Sequence, residues 1–186
     1  MQGLKCKARA RLYGFSVVVE SIEDSRCLYG MGFYGHPLGV EKPKSADFNS
    51  PVRLSPLETL YLMEKGVLEV YDPSDRRLSP EEVSKILSVQ YKDLDLEYPV
   101  YKRLRDSGLI VRSGLKFGAD FTVYRLGPGL EHAPYIVHVT SYSGELEPTD
   151  IVRAGRLSHS VRKAFILASV EPSGSASYLI FKWLVP

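Results

Sequence analysis

Apolar and polar positions alternate strictly near the start of the chain. Cys6, Ala8, Ala10 and Leu12 are interleaved with Lys5, Lys7, Arg9 and Arg11. A period of two predicts a strand with one apolar face and one cationic face. The cationic face has two readings, a solvated surface or an edge that meets phosphate. Residues 16–20 (SVVVE) read as its partner, with Tyr13 and Gly14 near the turn. The glycine- and proline-rich stretch over 29–56 reads as loop. Its part from 41 to 54 is long for an irregular connection in a compact domain, and such loops are usually functional or mobile. Lys42 and Lys44, held apart by Pro43, are either solvated there or touch a phosphate backbone.

The period then changes. Ser55-Pro56-Leu57-Glu58 and Ser79-Pro80-Glu81-Glu82 each place serine at an N-cap, proline at the first helical position and glutamate two residues later. This is the capping box, and it predicts two helix starts. Leu57, Leu60 and Tyr61 form the first apolar stripe, closed by Gly66; Val83, Ile86 and Leu87 form the second. Residues 67–71 read as a short strand. The polar run over 90–95 suggests a boundary, giving an N-terminal α+β domain over 1–90 and a C-terminal domain over 91–186. The second half predicts a helix over 99–106, stopped by Gly108, and strands over 109–112, 121–125, 135–140 and 165–170. Between the last two of these lies a basic helix over 150–163 with Thr149 as N-cap, and residues 178–185 (YLIFKWLV) are apolar and β-prone. The fold class is α+β or mixed α/β in each half.

Composition narrows the function classes. Of 186 residues, 44% are apolar and 25% charged, which excludes a disordered chain, a collagen-like fibre and a coiled coil. No run approaches the roughly 20 apolar residues that span a bilayer. The first residues lead into charges rather than an apolar stretch, so neither a signal peptide nor a membrane partner is expected, and the expected location is the cytoplasm. A net charge of +2 means that any surface for nucleic acid must be local. Cys6 and Cys27 are too few for a structural zinc site, and we read them as two reduced core thiols. Gln2, Gln90 and Asn49 are the only side-chain amides, as in proteins from hot environments.

Three places carry candidate chemistry. Arg153, Arg156, Arg162 and Lys163 fall within a segment, 151–163, that has no acid. Such a stripe binds phosphate if it faces a groove; otherwise it is a solvated basic face. Tyr124 lies on the more polar face of its strand. His132 lies in a turn, just ahead of a strand, where acid–base work is possible; His138 and His159 lie inside elements and read as structural. No Asp-x-Lys or Glu-x-Lys occurs in the chain, so a carboxylate-held Mg²⁺ site of the restriction-nuclease design is not expected.

Three blocks carry a resemblance: Gly114-Leu-Lys-Phe-Gly-Ala-Asp-Phe-Thr-Val-Tyr124, His132-Ala-Pro-Tyr135 and Arg156-Leu-Ser-His-Ser-Val-Arg-Lys163. In this order and spacing they resemble the archaeal tRNA-splicing endonucleases, and Leu28-Tyr29-Gly30 with residues 54–70 resembles that family's N-terminal domain. The resemblance implies a nuclease-like C-terminal domain with a central mixed sheet flanked by helices. It implies cleavage of precursor tRNA at bulge–helix–bulge sites, without metal or cofactor. Attack of the 2′-hydroxyl leaves a 2′,3′-cyclic phosphate and a 5′-hydroxyl. The family's catalytic residues correspond to Tyr124 as general base or orienting group, His132 as acid and Lys163 as charge stabiliser. Arg156 and Trp183 correspond to a pair that holds a flipped base. The turn over 171–177 carries one acid, where many self-assembling members have several. The expected assembly is therefore a heterotetramer with a paralogous structural subunit, with a homo-oligomer as the alternative. A non-catalytic RNA-binding or assembly subunit is the alternative function.

Overall fold

The opening alternation becomes β1 (Ala8–Tyr13), which buries Ala8, Ala10 and Leu12 and turns Arg9 outward. β2 (Ser16–Val19) returns antiparallel, with Leu12 opposite Val17. The computed structural model describes residues 6–41, 43, 45–144, 149, 152 and 163–181. By its internal contacts the chain forms two compact units, Met1–Leu94 and Asp95–Pro186.

The stretch expected as loop begins differently. α1 (Ile22–Gly32) runs through Tyr29 and Gly30. Ser21 caps it by accepting the Asp24 N–H, Glu23 and Asp24 complement the positive N-terminus of its dipole, and Phe33 closes it at φ 57°. Two glycines weaken its intrinsic propensity, and burial of Ser25, Leu28 and Tyr29 overrides that. The Ser25 hydroxyl is fully buried. It donates to the Val19 carbonyl (3.0 Å) and accepts from the Val52 N–H (3.2 Å), fastening the helix to two strands. Two short strands, β3 (His36–Pro37) and β4 (Val52–Leu54), also lie inside the expected loop.

A second correction concerns the cysteines. Cys6 and Cys27 are joined in a disulfide across 21 positions, with Cα atoms 6.1 Å apart. Their separation in sequence says nothing of this. The packing of α1 beside β1 brings the two side chains together.

The two capping boxes form as read. Ser55 and Glu58 cap α2 (Pro56–Glu64), and Ser79 and Glu82 cap α3 (Pro80–Leu87), each by reciprocal side-chain to backbone bonds. β5 (Leu68–Tyr71) pairs parallel to β1, and β6 (Arg77–Leu78) closes the edge. The six-stranded sheet has the order β3-β4-β2-β1-β5-β6. Its core holds Val17, Val19, Leu28, Val52, Leu62, Val70, Val83 and Leu87, all nearly inaccessible to water.

In the second unit α4 (Leu94–Asp106) starts five residues before the expected position and carries Pro99 inside it. The proline lies in the helix interior, where its missing N–H removes one i→i−4 bond and its ring crowds the carbonyl four residues back. Burial of Val100, Tyr101 and Leu104 holds the helix in place. Tyr101 meets Phe121 edge-on, and the buried Arg105 donates to the Tyr101 hydroxyl (3.0 Å) and the Val111 carbonyl (3.2 Å). β7 (Ile110–Ser113), β8 (Phe121–Tyr124), β9 (Tyr135–Ser141), β10 (Ala164–Val170) and β11 (Ala176–Phe181) form a five-stranded sheet in the order β11-β10-β9-β8-β7. β9 and β10 are parallel and the other pairs antiparallel. The architecture is α+β with two mixed sheets. Apart from Val152 and Lys163, the basic helix expected over 150–163 lies outside the described residues, as do residues 182–185 of the expected last strand. Among the described residues no helix is long and apolar enough to cross a membrane.

Candidate active site

Strand register assembles the site. Val123 of β8 lies opposite Tyr135 of β9, and Tyr135 lies opposite Ala164 of β10. Tyr124 is one residue past this row, at the end of β8. His132 comes three residues before it and Lys163 one residue before it. Residues 124, 132 and 163 are thereby gathered at one end of the sheet. Strands spaced about 4.8 Å apart set the β8 and β10 ends roughly 10 Å from each other, with β9 between, within reach of long side chains.

The local contacts tighten this arrangement. The Lys163 ammonium donates to the Ala133 carbonyl, next to His132. The following N–H, of Ala164, donates to the Pro134 carbonyl at 3.0 Å. The entry to β10 is thus bonded to the segment that carries the histidine. Lys163 also stands over the Phe117 ring, 5.6 Å from its centroid. Partial burial holds its ammonium below the usual lysine range.

Phe117 belongs to a 3₁₀ turn, Leu115–Phe117, inside the first motif block. It packs against the core cluster of Ala119, Ile136, Phe165 and Leu167. A side chain at Gly114 would come within 2.7 Å of the Ala119 carbonyl, so only glycine lets this loop close. Asp120 pins the far end: its carboxylate accepts the Val139 N–H (2.7 Å) and pairs with His138 Nδ1 at 2.9 Å. His138 lies inside β9, as its place in the sequence suggested.

The β8–β9 loop is closed by Glu131. Its Oε1 accepts the backbone N–H groups of Arg125 and Leu126, the latter at 2.6 Å. These donors, Leu126 foremost, hold the carboxyl below the usual glutamate range. Arg125 donates to the Tyr135 hydroxyl and lies over that ring, 5.4 Å from its centroid. Glu131, Phe117 and Arg125 were not singled out from the sequence. The one available signal was an acid soon after Gly127-Pro128-Gly129, where exposed loop N–H groups need an acceptor.

Arg156, Trp183, Lys42 and Lys44 lie outside the described residues. The loop around the two lysines is tacked to α1: Arg26 donates to the Phe48 carbonyl (2.7 Å), pairs with Asp47 (3.3 Å), and Phe48 meets Tyr29 edge-on. On the cationic face of β1, Arg11 pairs with Glu20 and Asp75, and Arg9 lies over Tyr71. That face is answered by its own unit, which favours the solvated reading. Among the described residues no three His, Cys, Asp or Glu side chains cluster as a metal site would need.

Known proteins match along nearly the whole chain. Residues 94–178 match the catalytic C-terminal domain of the tRNA intron endonucleases, and residues 8–84 match their N-terminal domain. A tRNA-splicing endonuclease of Hyperthermus butylicus is 53% identical over 179 residues, covering 96% of this chain and 99% of that protein. Those of Saccharolobus solfataricus and Saccharolobus islandicus are 43% identical over 178 residues, covering 95% of this chain and 98% of theirs.

Proposed function

The chain belongs to the tRNA intron endonuclease family, and from that premise we propose that it cleaves precursor tRNA at bulge–helix–bulge sites without a metal ion. In this reading the 2′-oxygen attacks the adjacent phosphorus and the bond from phosphorus to the 5′-oxygen breaks. Tyr124 accepts or orients the 2′-hydroxyl proton. His132 gives a proton to the departing 5′-oxygen, the general-acid role that an imidazole fills most often. Lys163 neutralises the charge that develops on the phosphorane. The products are a 2′,3′-cyclic phosphate and a 5′-hydroxyl.

The observation that carries this reading is the row through Val123, Tyr135 and Ala164, because residues 124, 132 and 163 flank it. The Lys163 bond to the carbonyl beside His132 supports it further. Arg156 and Trp183 are proposed to hold a flipped bulge base by stacking, and Lys42 and Lys44 to touch the phosphate backbone. We assign the chain the catalytic place in a heterotetramer whose structural subunit supplies the acidic docking loop, since its own β10–β11 turn offers Glu171 alone. Light scattering of the chain with and without a co-expressed paralogue tests the assembly.

Cleavage of a bulge–helix–bulge RNA in excess EDTA, with analysis of the product ends, tests the chemistry. Undiminished cleavage with cyclic-phosphate ends is expected. Loss of cleavage in EDTA with recovery on adding Mg²⁺ would overturn it.

A further inference from the structure

We infer that Glu131 is a positioning residue for His132, and that its carboxylate closes the β8–β9 loop so that the histidine is presented beside Tyr124. This rests on the roles proposed above for those two residues. The loop leaves β8 immediately after Tyr124 and reaches His132 eight positions later. Between them lie Gly127, Pro128 and Gly129, and Gly127 and Gly129 take φ values of 128° and 87°. Two glycines give such a segment many backbone states, and a histidine at its end would be spread over all of them.

The structure opposes that freedom at one point. A single oxygen of Glu131 accepts from the N–H of Arg125, the residue after Tyr124, and from that of Leu126 at 2.6 Å. The backbone closes the same ring from the other side, with the N–H groups of Leu130 and Glu131 both donating to the Gly127 carbonyl at 3.2 Å. The acceptor therefore immediately precedes the histidine, and its first donor immediately follows the tyrosine. Bonds from backbone N–H groups to ionised carboxylates are among the stronger hydrogen bonds, which suits a clamp on an exposed loop. Glu131 touches no reacting atom in this scheme; it acts through His132.

The test is a double-mutant cycle on a bulge–helix–bulge RNA. Glu131→Ala is expected to lower kcat about tenfold or more, a fraction of the roughly 10²–10⁴ that a general acid contributes, with KM changed less than about twofold. Glu131→Gln, whose amide oxygen still accepts both N–H bonds, is expected to recover most of the rate. In a His132→Ala background, Glu131→Ala is expected to cost less than about twofold more, because the two residues act as one unit. Thermal melting of each variant separates this from unfolding. Wild-type kcat in Glu131→Ala, or full additivity of the two losses, overturns the inference while the proposed roles stand. An active His132→Ala enzyme removes the proposed roles, and the inference with them.

Discussion

Two cation environments recur, one in each unit. In the first, Arg11 sits between Glu20 and Asp75, Arg77 pairs with Glu69, and Arg76 pairs with Asp72 and Glu82. In the second, the described partners of Lys163 are a carbonyl oxygen and an aromatic ring. A carboxylate cancels a positive charge, whereas a carbonyl or a ring fixes its position and leaves its field intact. In the mechanism proposed above, that difference separates charges that hold a surface together from the Lys163 charge, which is proposed to meet a phosphate.

The largest test of that contrast is Lys163→Ala. It should lower the single-turnover cleavage rate by about 10²–10³, the usual cost of one preorganised electrostatic group, while RNA binding in a filter or anisotropy assay changes little. The pH profile sharpens the point. Burial favours neutral Lys163, so its ammonium is lost as pH rises at a lower pH than for an ordinary lysine near 10.4. The rate should fall on the alkaline side below that value, and Lys163→Arg, which keeps its charge, should move the fall upward.

Next in size is the covalent tie of the first unit. Cys27→Ala should lower stability by about 3 kcal/mol for a loop of this length, or roughly 6–12 °C in Tm for a chain of this size. Its cleavage rate at moderate temperature should be unchanged, as read by calorimetry alongside the activity assay. Phe117→Leu keeps an apolar group against the core but removes the ring beneath Lys163. A rate lower by about two- to fivefold is expected, matching a cation–π contact of ~0.5–1 kcal/mol. The smallest effect belongs to Arg11→Ala: about 0.5 kcal/mol or less in denaturant unfolding, as for surface ion pairs generally, with no change in cleavage. A rate loss from Arg11→Ala comparable to that of Lys163→Ala would erase the distinction between the two regions.

Local chemistry was legible in the order of residues. Both capping boxes, the alternation of β1 and the strands around Tyr124 and Tyr135 follow from short-range propensity and period. α1 was not legible, because Gly30 and Gly32 argue locally for a loop while the burial of Ser25, Leu28 and Tyr29 decides for a helix. The start of α4 was displaced because Pro99 reads as a first turn, although Val100, Tyr101 and Leu104 keep the helix packed around it. The disulfide escaped notice because a 21-residue separation fits free thiols equally well.

By itself the sequence determined which side chains are candidates for chemistry and which segments form the strands beneath them, since both depend on residue type and near neighbours. Only the tertiary structure decided that β8, β9 and β10 share one row, that Lys163 reaches the carbonyl beside His132, and that Glu131 closes the loop between Tyr124 and His132. Those contacts join residues up to 30 positions apart. They exist because register is settled when several strands bury their apolar faces together, and no single stretch of the chain decides that alone.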